Sequence, residues 1–195
     1  MKIKDIKNTV FLVLNGLKEA DNIFTHMTFD EKKKLFDLSK RSIGNFVEIG
    51  SYLGASSCFI AEGLRKTGKA KLYCIDTWQN DAMSEGARDT FSEFLKNTQK
   101  YADIIIPIRE TSENAIAVLQ KQIKKIDILF IDADHNYEGC KRDWDLYSPF
   151  LTCGSLVIFH DYGWAEGVKR VVDEDVKPLI LKEGTLPNMW WGWIR

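Results

Sequence analysis

The chain lacks a long apolar run, an excess of positive charge and paired cysteines, and each absence removes a class of protein. The apolar stretch at residues 10–14 is short and is followed by Asn15, Gly16 and Lys18, so neither a signal peptide nor a membrane span is expected. With 27 basic against 28 acidic residues the net charge is −1, which gives no electrostatic footprint for nucleic acid. The run Lys32-Lys33-Lys34 falls within a helical pattern and reads as a solvated face. Cys58, Cys74, Cys140 and Cys153 form no C-x-x-C pair, so buried, reduced thiols in a cytoplasmic protein are expected, without disulfides or a cysteine metal site. Histidine is scarce, at three residues, which gives weight to where each one falls.

What is present describes an ordinary globular chain. At 195 residues, 45% hydrophobic and 28% charged, it fits one domain with a substantial core. Residues 1–42 read as a helical cover, with Ile6, Val10, Leu14 and Leu17 on one stripe and Leu35, Phe36 and Leu38 on a second helix. Thr28 followed three residues later by Glu31 is a capping pattern for that second helix. Residues 43–195 form the main body. There, short β-branched and aromatic runs at 46–49, 72–75, 104–108, 126–131 and 156–159 alternate with helical segments at 56–66, about 81–98, 112–121 and 137–147. Strict β-α alternation with strands apolar on consecutive positions predicts an α/β, Rossmann-like doubly wound sheet with helices on both faces. Residues 167–176 read as helical. Strand candidates at 178–182 and 188–194 follow with no helix between them, so one strand near the C-terminus is expected to pair antiparallel.

Open α/β sheets bind ligands beyond the carboxyl ends of their strands. The first run ends in Glu48, Gly50, Ser51 and Gly54, a glycine-spaced turn into a helix where backbone can approach a ligand. The second ends in Asp76, 26 residues after Gly50, placed either to bind a ribose diol or to serve as a turn acid. The third ends in Glu110, Thr111 and Ser112, which can meet a base edge or cap the next helix. The fourth ends in Asp132-Ala133-Asp134-His135 and the fifth in His160-Asp161, so two of the three histidines lie beside acids at strand ends.

Glu48-Ile49-Gly50-Ser51-Tyr52-Leu53-Gly54, Ile75-Asp76-Thr77-Trp78, the stretch from Phe130 to Gly139 and the stretch from Gly154 to Tyr162 resemble the class I S-adenosylmethionine-dependent methyltransferases. Within that class they are most similar to the small O-methyltransferase-like group of macrocin-type and cephalosporin-tailoring enzymes. The resemblance covers about residues 44–195, and its fourth and fifth motifs are the specific part. It implies that Glu48, Gly50, Ser51 and Gly54 line the methionine end of S-adenosylmethionine. Asp76 and Thr77 would hold the ribose, Glu110 to Ser112 would lie near the adenine, and Asp132 would border the cofactor. Trp78 would stack on the adenine or pack in the core.

A hydroxyl acceptor must lose its proton to a base or be acidified by a metal. The resemblance offers both: a divalent metal on Asp132 and Asp161, with His160 where relatives carry an acid, or a histidine base, His135 or His160, with Asp161 beside it. Magnesium prefers oxygen ligands, so His160 counts against that ion. The reading is a methyltransferase acting on a hydroxyl of a small molecule or sugar, able to be a homo-oligomer, with no nucleic-acid or membrane partner. The alternatives are a nicotinamide-dependent oxidoreductase, which the missing third glycine disfavours, and a non-catalytic cofactor-binding protein of the same fold.

Overall fold

Consecutive β-branched and aromatic residues bury both faces of a strand, and five such runs become the parallel centre of a seven-stranded sheet. The computed structural model describes residues 3–41, 44–68, 70–80 and 86–195. The strands are β1 (Asn45–Ile49), β2 (Lys71–Asp76), β3 (Ile105–Arg109), β4 (Ile128–Ile131), β5 (Leu156–His160), β6 (Ile180–Leu186) and β7 (Met189–Ile194). The helices are α1 (Ile3–Leu14), α2 (Lys18–Asp21), α3 (Phe29–Ser39), α4 (Ala55–Arg65), α5 (Phe91–Thr98), α6 (Ser112–Gln122), α7 (Tyr137–Tyr147) and α8 (Glu166–Val171). The strand order is β3-β2-β1-β4-β5-β7-β6, and β7 alone runs antiparallel to its two neighbours, as the helix-free tail predicted.

Alternate side chains of each strand feed two cores. Phe46, Phe130 and Ile158 face α1 to α5, whereas Val47, Leu129 and Val157 face α6 to α8. The chain order reverses between β1 and β4, so the crevice that suits a ligand opens beyond Ile49 and Ile131. No helix among the described residues is long and apolar enough to cross a membrane.

Several expectations are corrected. The stripe on α1 is not its packed side: Ile6, Val10 and Leu14 are exposed, while Leu12 is buried, along with Leu17 beyond the helix end. The helix is anchored by Phe11, whose ring meets Phe29 and Phe36 edge-on at 5.9 and 5.1 Å. Lys32 is buried instead of solvated, because its ammonium pairs with Asp21 at 2.6 Å and lies over Phe59. The helix expected at 81–98 begins only at Phe91. Residues 81–85 lie outside the described residues, and at 86–90 Gly86 adopts a left-handed φ while Asp89 accepts the Phe91 N–H. The helix expected at 167–176 widens at Val172–Val176 into a π-helical turn, and the strand placed at 178–182 starts at Ile180. All four cysteines are free, but Cys153 is exposed. The boundary placed at 42–43 falls outside the described residues, and α3 packs directly on α4.

Candidate active site

The turn after β1 is shaped by two glycines with φ of 88° each. A side chain on Gly50 would overlap the Asp132 carbonyl, and one on Gly54 would meet Thr98, so both permit close packing as well as left-handed backbone. Gly54 is also the N-cap of α4, which has no side-chain cap, so the first N–H groups of that helix are left for water or a ligand.

Glu48 points inward instead of rimming the turn. It is fully buried, and its Oε2 accepts from Ser51 at 2.9 Å, from Ser57 and from Cys74 at 3.3 Å. Burial raises its pKa, although the serine donors oppose the shift, and its Oε1 has no partner among the described residues. Asp76 closes the turn from the side of β2, accepting the Tyr52 N–H at 2.8 Å and the Trp78 N–H at 2.7 Å.

Trp78 takes the packing alternative. It is 1% exposed, wedged between Phe91 and Phe94 with ring separations of 4.8 and 4.6 Å, and its indole N–H donates to the Tyr52 carbonyl at 2.8 Å. It holds the turn instead of offering a stacking face. Thr77 accepts the Gln79 N–H, and Thr111 caps α6 by accepting the Asn114 N–H. Glu110 stays exposed, bonded to the Asn114 amide at 3.3 Å, and the Ser112 carbonyl accepts from Tyr147. Glu110, Thr111 and Ser112 thus follow β3, next to Asp76 at the end of β2.

The ends of β4 and β5 hold the densest chemistry. Asp161 gathers four donors: His135 Nε2 at 2.8 Å, His160 Nδ1 at 3.2 Å, Trp164 Nε1 at 2.7 Å and Asn188 Nδ2 at 2.9 Å. It does so with φ at +60°, a conformation that costs a non-glycine residue energy and is held by its surroundings. Burial would raise the Asp161 pKa, but the two histidines hold it well below the usual carboxylate range. His135 is half-exposed. Its bond to Asp161 raises its pKa above 6.5 against a smaller opposing effect of burial.

His160 lies deeper, 3% exposed. Its Nδ1 stands 3.1 Å from Asp132 and its Nε2 3.6 Å from Glu31. Burial pulls its pKa down, but Asp132, Asp161 and Glu31 together push it far above 6.5.

A methyltransferase-domain family profile matches residues 47–162, which contain the glycine turn, Asp76, Asp132 and the His160-Asp161 pair. The chain belongs to this methyltransferase family. Curated relatives of the chain include an uncharacterised protein y4gI of Sinorhizobium fredii, 26% identical over 117 residues that make up 59% of this chain and 13% of that protein. Another is an uncharacterised protein R132 of Acanthamoeba polyphaga mimivirus, 26% identical over 161 residues, 77% of this chain and 67% of that protein. The chain thus spans about an eighth of the first relative's length.

Among solved structures, the O-methyltransferase NovP superposes with a TM-score of 0.75 at 17% identity, over 96% of this chain and 99% of NovP. An O-methyltransferase from Bacillus cereus in complex with S-adenosylhomocysteine gives 0.68 at 15%, over 96% and 90%. TomG of Streptomyces achromogenes, in complex with S-adenosylmethionine, gives 0.63 at 14%, over 100% and 99%. At such identities these likenesses establish the shared fold.

Three residues of this site escape the sequence reading. Glu31 was assigned only to the cap of α3, and it does form the full capping box with Thr28, yet its carboxylate also faces His160. Trp164 and Asn188 bond to Asp161 from the turns after β5 and before β7. The second contact of Glu31 had no signal in the sequence, because its burial arises only where α3 packs over the end of β5. No sequence spacing pointed to Asn188.

The donor set fits a divalent metal. Asp132, His160 and Asp161 each bring one ligand-type atom, all within 4.8 Å of one another. Two carboxylates with one imidazole suit manganese, iron or zinc better than magnesium, and a carboxylate behind the far imidazole nitrogen is a common outer partner of a metal-bound histidine. A proton and an ion would compete for His160 Nδ1.

Proposed function

We propose that this methyltransferase uses S-adenosylmethionine to methylate a hydroxyl group of a small molecule. The observation that carries the O-methyl assignment is the half-exposed His135, held by its Nε2–H on Asp161 at 2.8 Å where the ends of the neighbouring strands β4 and β5 meet. That bond leaves Nδ1 unprotonated in the neutral ring and able to take a proton from an acceptor hydroxyl. S-adenosylmethionine, when bound, supplies a methyl group on a positively charged sulfur, open to in-line displacement. Orientation is then the main demand on the protein, and well-aligned reactants reach effective molarities of roughly 10⁵–10⁸ M.

In this reading the turn of Gly50, Ser51 and Gly54 receives the amino-acid end of the cofactor, with Glu48 bracing it from beneath. Asp76 accepts the ribose hydroxyls beside Thr77, and Glu110, Thr111 and Ser112 border the adenine. Trp78 supports the pocket from within the core. Asp132 lies at the meeting point of cofactor and acceptor. Asp132, His160 and Asp161 would also hold a divalent ion, whose chemistry would be to acidify the acceptor hydroxyl. Helices α1 to α3 serve as the acceptor-side cover, a role supported by the approach of Glu31 to His160. Three buried free thiols agree with a reducing compartment, so we assign the protein to the cytoplasm, with a small-molecule acceptor as its partner and self-association compatible.

Ligand binding to the folded state alone adds about 2.7 kcal/mol at a hundred times Kd, which for a domain of this size is roughly 5–10 °C in Tm. S-adenosylhomocysteine is expected to produce that shift and NAD none, with Asp76→Ala abolishing it. A shift with NAD instead would sink the reading in favour of a nicotinamide enzyme. His135→Ala should keep the shift while losing methyl transfer, which separates an enzyme from a protein that only binds the cofactor.

A further inference from the structure

Of the six tryptophans, Trp78, Trp144, Trp190 and Trp191 are buried and Trp193 is partly buried, whereas Trp164 is 60% exposed. Its exposure is not looseness. The Trp164 and Ala165 N–H groups both turn back to the Asp161 carbonyl, at 3.2 and 2.9 Å, and the indole N–H donates to the Asp161 carboxylate. The ring is therefore held at one edge and wet on its face. Two glycines stiffen the surroundings: a side chain on Gly163 would collide with the Pro187 carbonyl, and one on Gly167 would collide with the Tyr137 N–H and the His135 carbonyl. The turn carrying Trp164 is thus wedged between the β6–β7 turn and the segment carrying His135. The two rings lie 4.9 Å apart at 64°.

We propose that the free face of Trp164 is the platform of the acceptor site, and that the acceptor hydroxyl belongs to a ring with an apolar face, an arene or a pyranose, that covers the indole. This rests on the methyl-transfer reading of the site. A large aromatic face left in water beside a proton acceptor is costly to the free protein and is repaid when a flat partner covers it. A ring laid on the indole presents its substituents to His135, because the imidazole stands against the same indole. An open-chain alcohol offers no such face and gains nothing from the platform.

The test follows the indole N–H resonance of Trp164, identified as the one missing in Trp164→Phe, with and without S-adenosylhomocysteine. Catechol, methyl glucopyranoside and glycerol are added in turn. One or both ring compounds should shift that resonance and glycerol should not, and whichever shifts it identifies arene or pyranose. For any ring compound that is methylated, Trp164→Ala should raise KM roughly tenfold while Trp164→Phe, which keeps a flat face, stays within about threefold. The platform is overturned if neither ring compound moves the resonance, or if glycerol moves it equally. Failure of S-adenosylhomocysteine to bind would instead count against the cofactor reading, since the ring-induced shift is recorded without it as well.

Discussion

Asp161 sets the chemistry of its neighbours by where it places protons. Its bond raises the pKa of His135, so this imidazole is half-neutral only at a pH above 6.5. The rate of methyl transfer is therefore expected to climb through a midpoint above that value. Asp161→Asn should move the midpoint down toward about 6.5 while lowering kcat by roughly a hundredfold or more, because the tautomer is no longer fixed. A pH–rate profile of the two proteins checks both, and an unmoved midpoint would remove Asp161 from the pair. The linked stability has the opposite sense: a raised histidine pKa stabilises the fold fully below about 6.5, and the gain is lost as pH rises through the folded value. That Asp132, His135, His160 and Asp161 meet was legible because the topology brings the ends of β4 and β5 together. Trp164 and Asn188 were not, since their role depends on which backbone turns meet in space.

At the scale of elements, α3 joins two tasks in one side chain. Glu31 closes the capping box of its helix and stands behind His160. Glu31→Ala should cost about 1–2 kcal/mol through the lost cap, and should also lower kcat by releasing His160. Asp30→Ala, one residue earlier and exposed in a pair with Lys4, should change stability by less than about 1 kcal/mol and leave kcat alone. Thermal melts with turnover on the same variants decide it, and equal kcat losses would undo the assignment. The capping box was readable because it is local. The buried side of α1 was not: Ile6, Val10 and Leu14 gave the right period, but the adjacent Phe11 found the aromatic partners. Helical period shows that a face exists, and the partner decides which one is covered. Lys32 was misread for the same reason, since its burial depends on Asp21 and Phe59 meeting it there.

For the whole molecule, the strand alternation carried the topology, because parallel strands need crossovers and leave few arrangements. The sequence pattern did not reveal charges that the finished fold isolates. Asp143 on α7 is 2% exposed with one oxygen unpartnered among the described residues, and burial pushes its pKa up to about 6 despite the Ser112 hydroxyl and Arg142. A carboxyl raised from about 3.9 penalises folding once both states are ionised, by about 3 kcal/mol at pH 7.5, and the penalty fades as pH falls through 6. Asp143→Asn should therefore raise Tm at pH 7.5 and lose that advantage by about pH 4. A variant equally stabilised at both values would show that the gain has another source.

The position of β7 has a consequence for how the molecule is made. It is the last strand in the sequence, yet it lies between β5 and β6, and the turn leading into it carries Asn188 to Asp161. During synthesis the five parallel strands can assemble while β6 waits without a neighbour, since the strand that links it to the sheet has not yet emerged. β6 joins the sheet only through β7, and the seating of β7 beside β5 brings Asn188, the fourth donor, to Asp161.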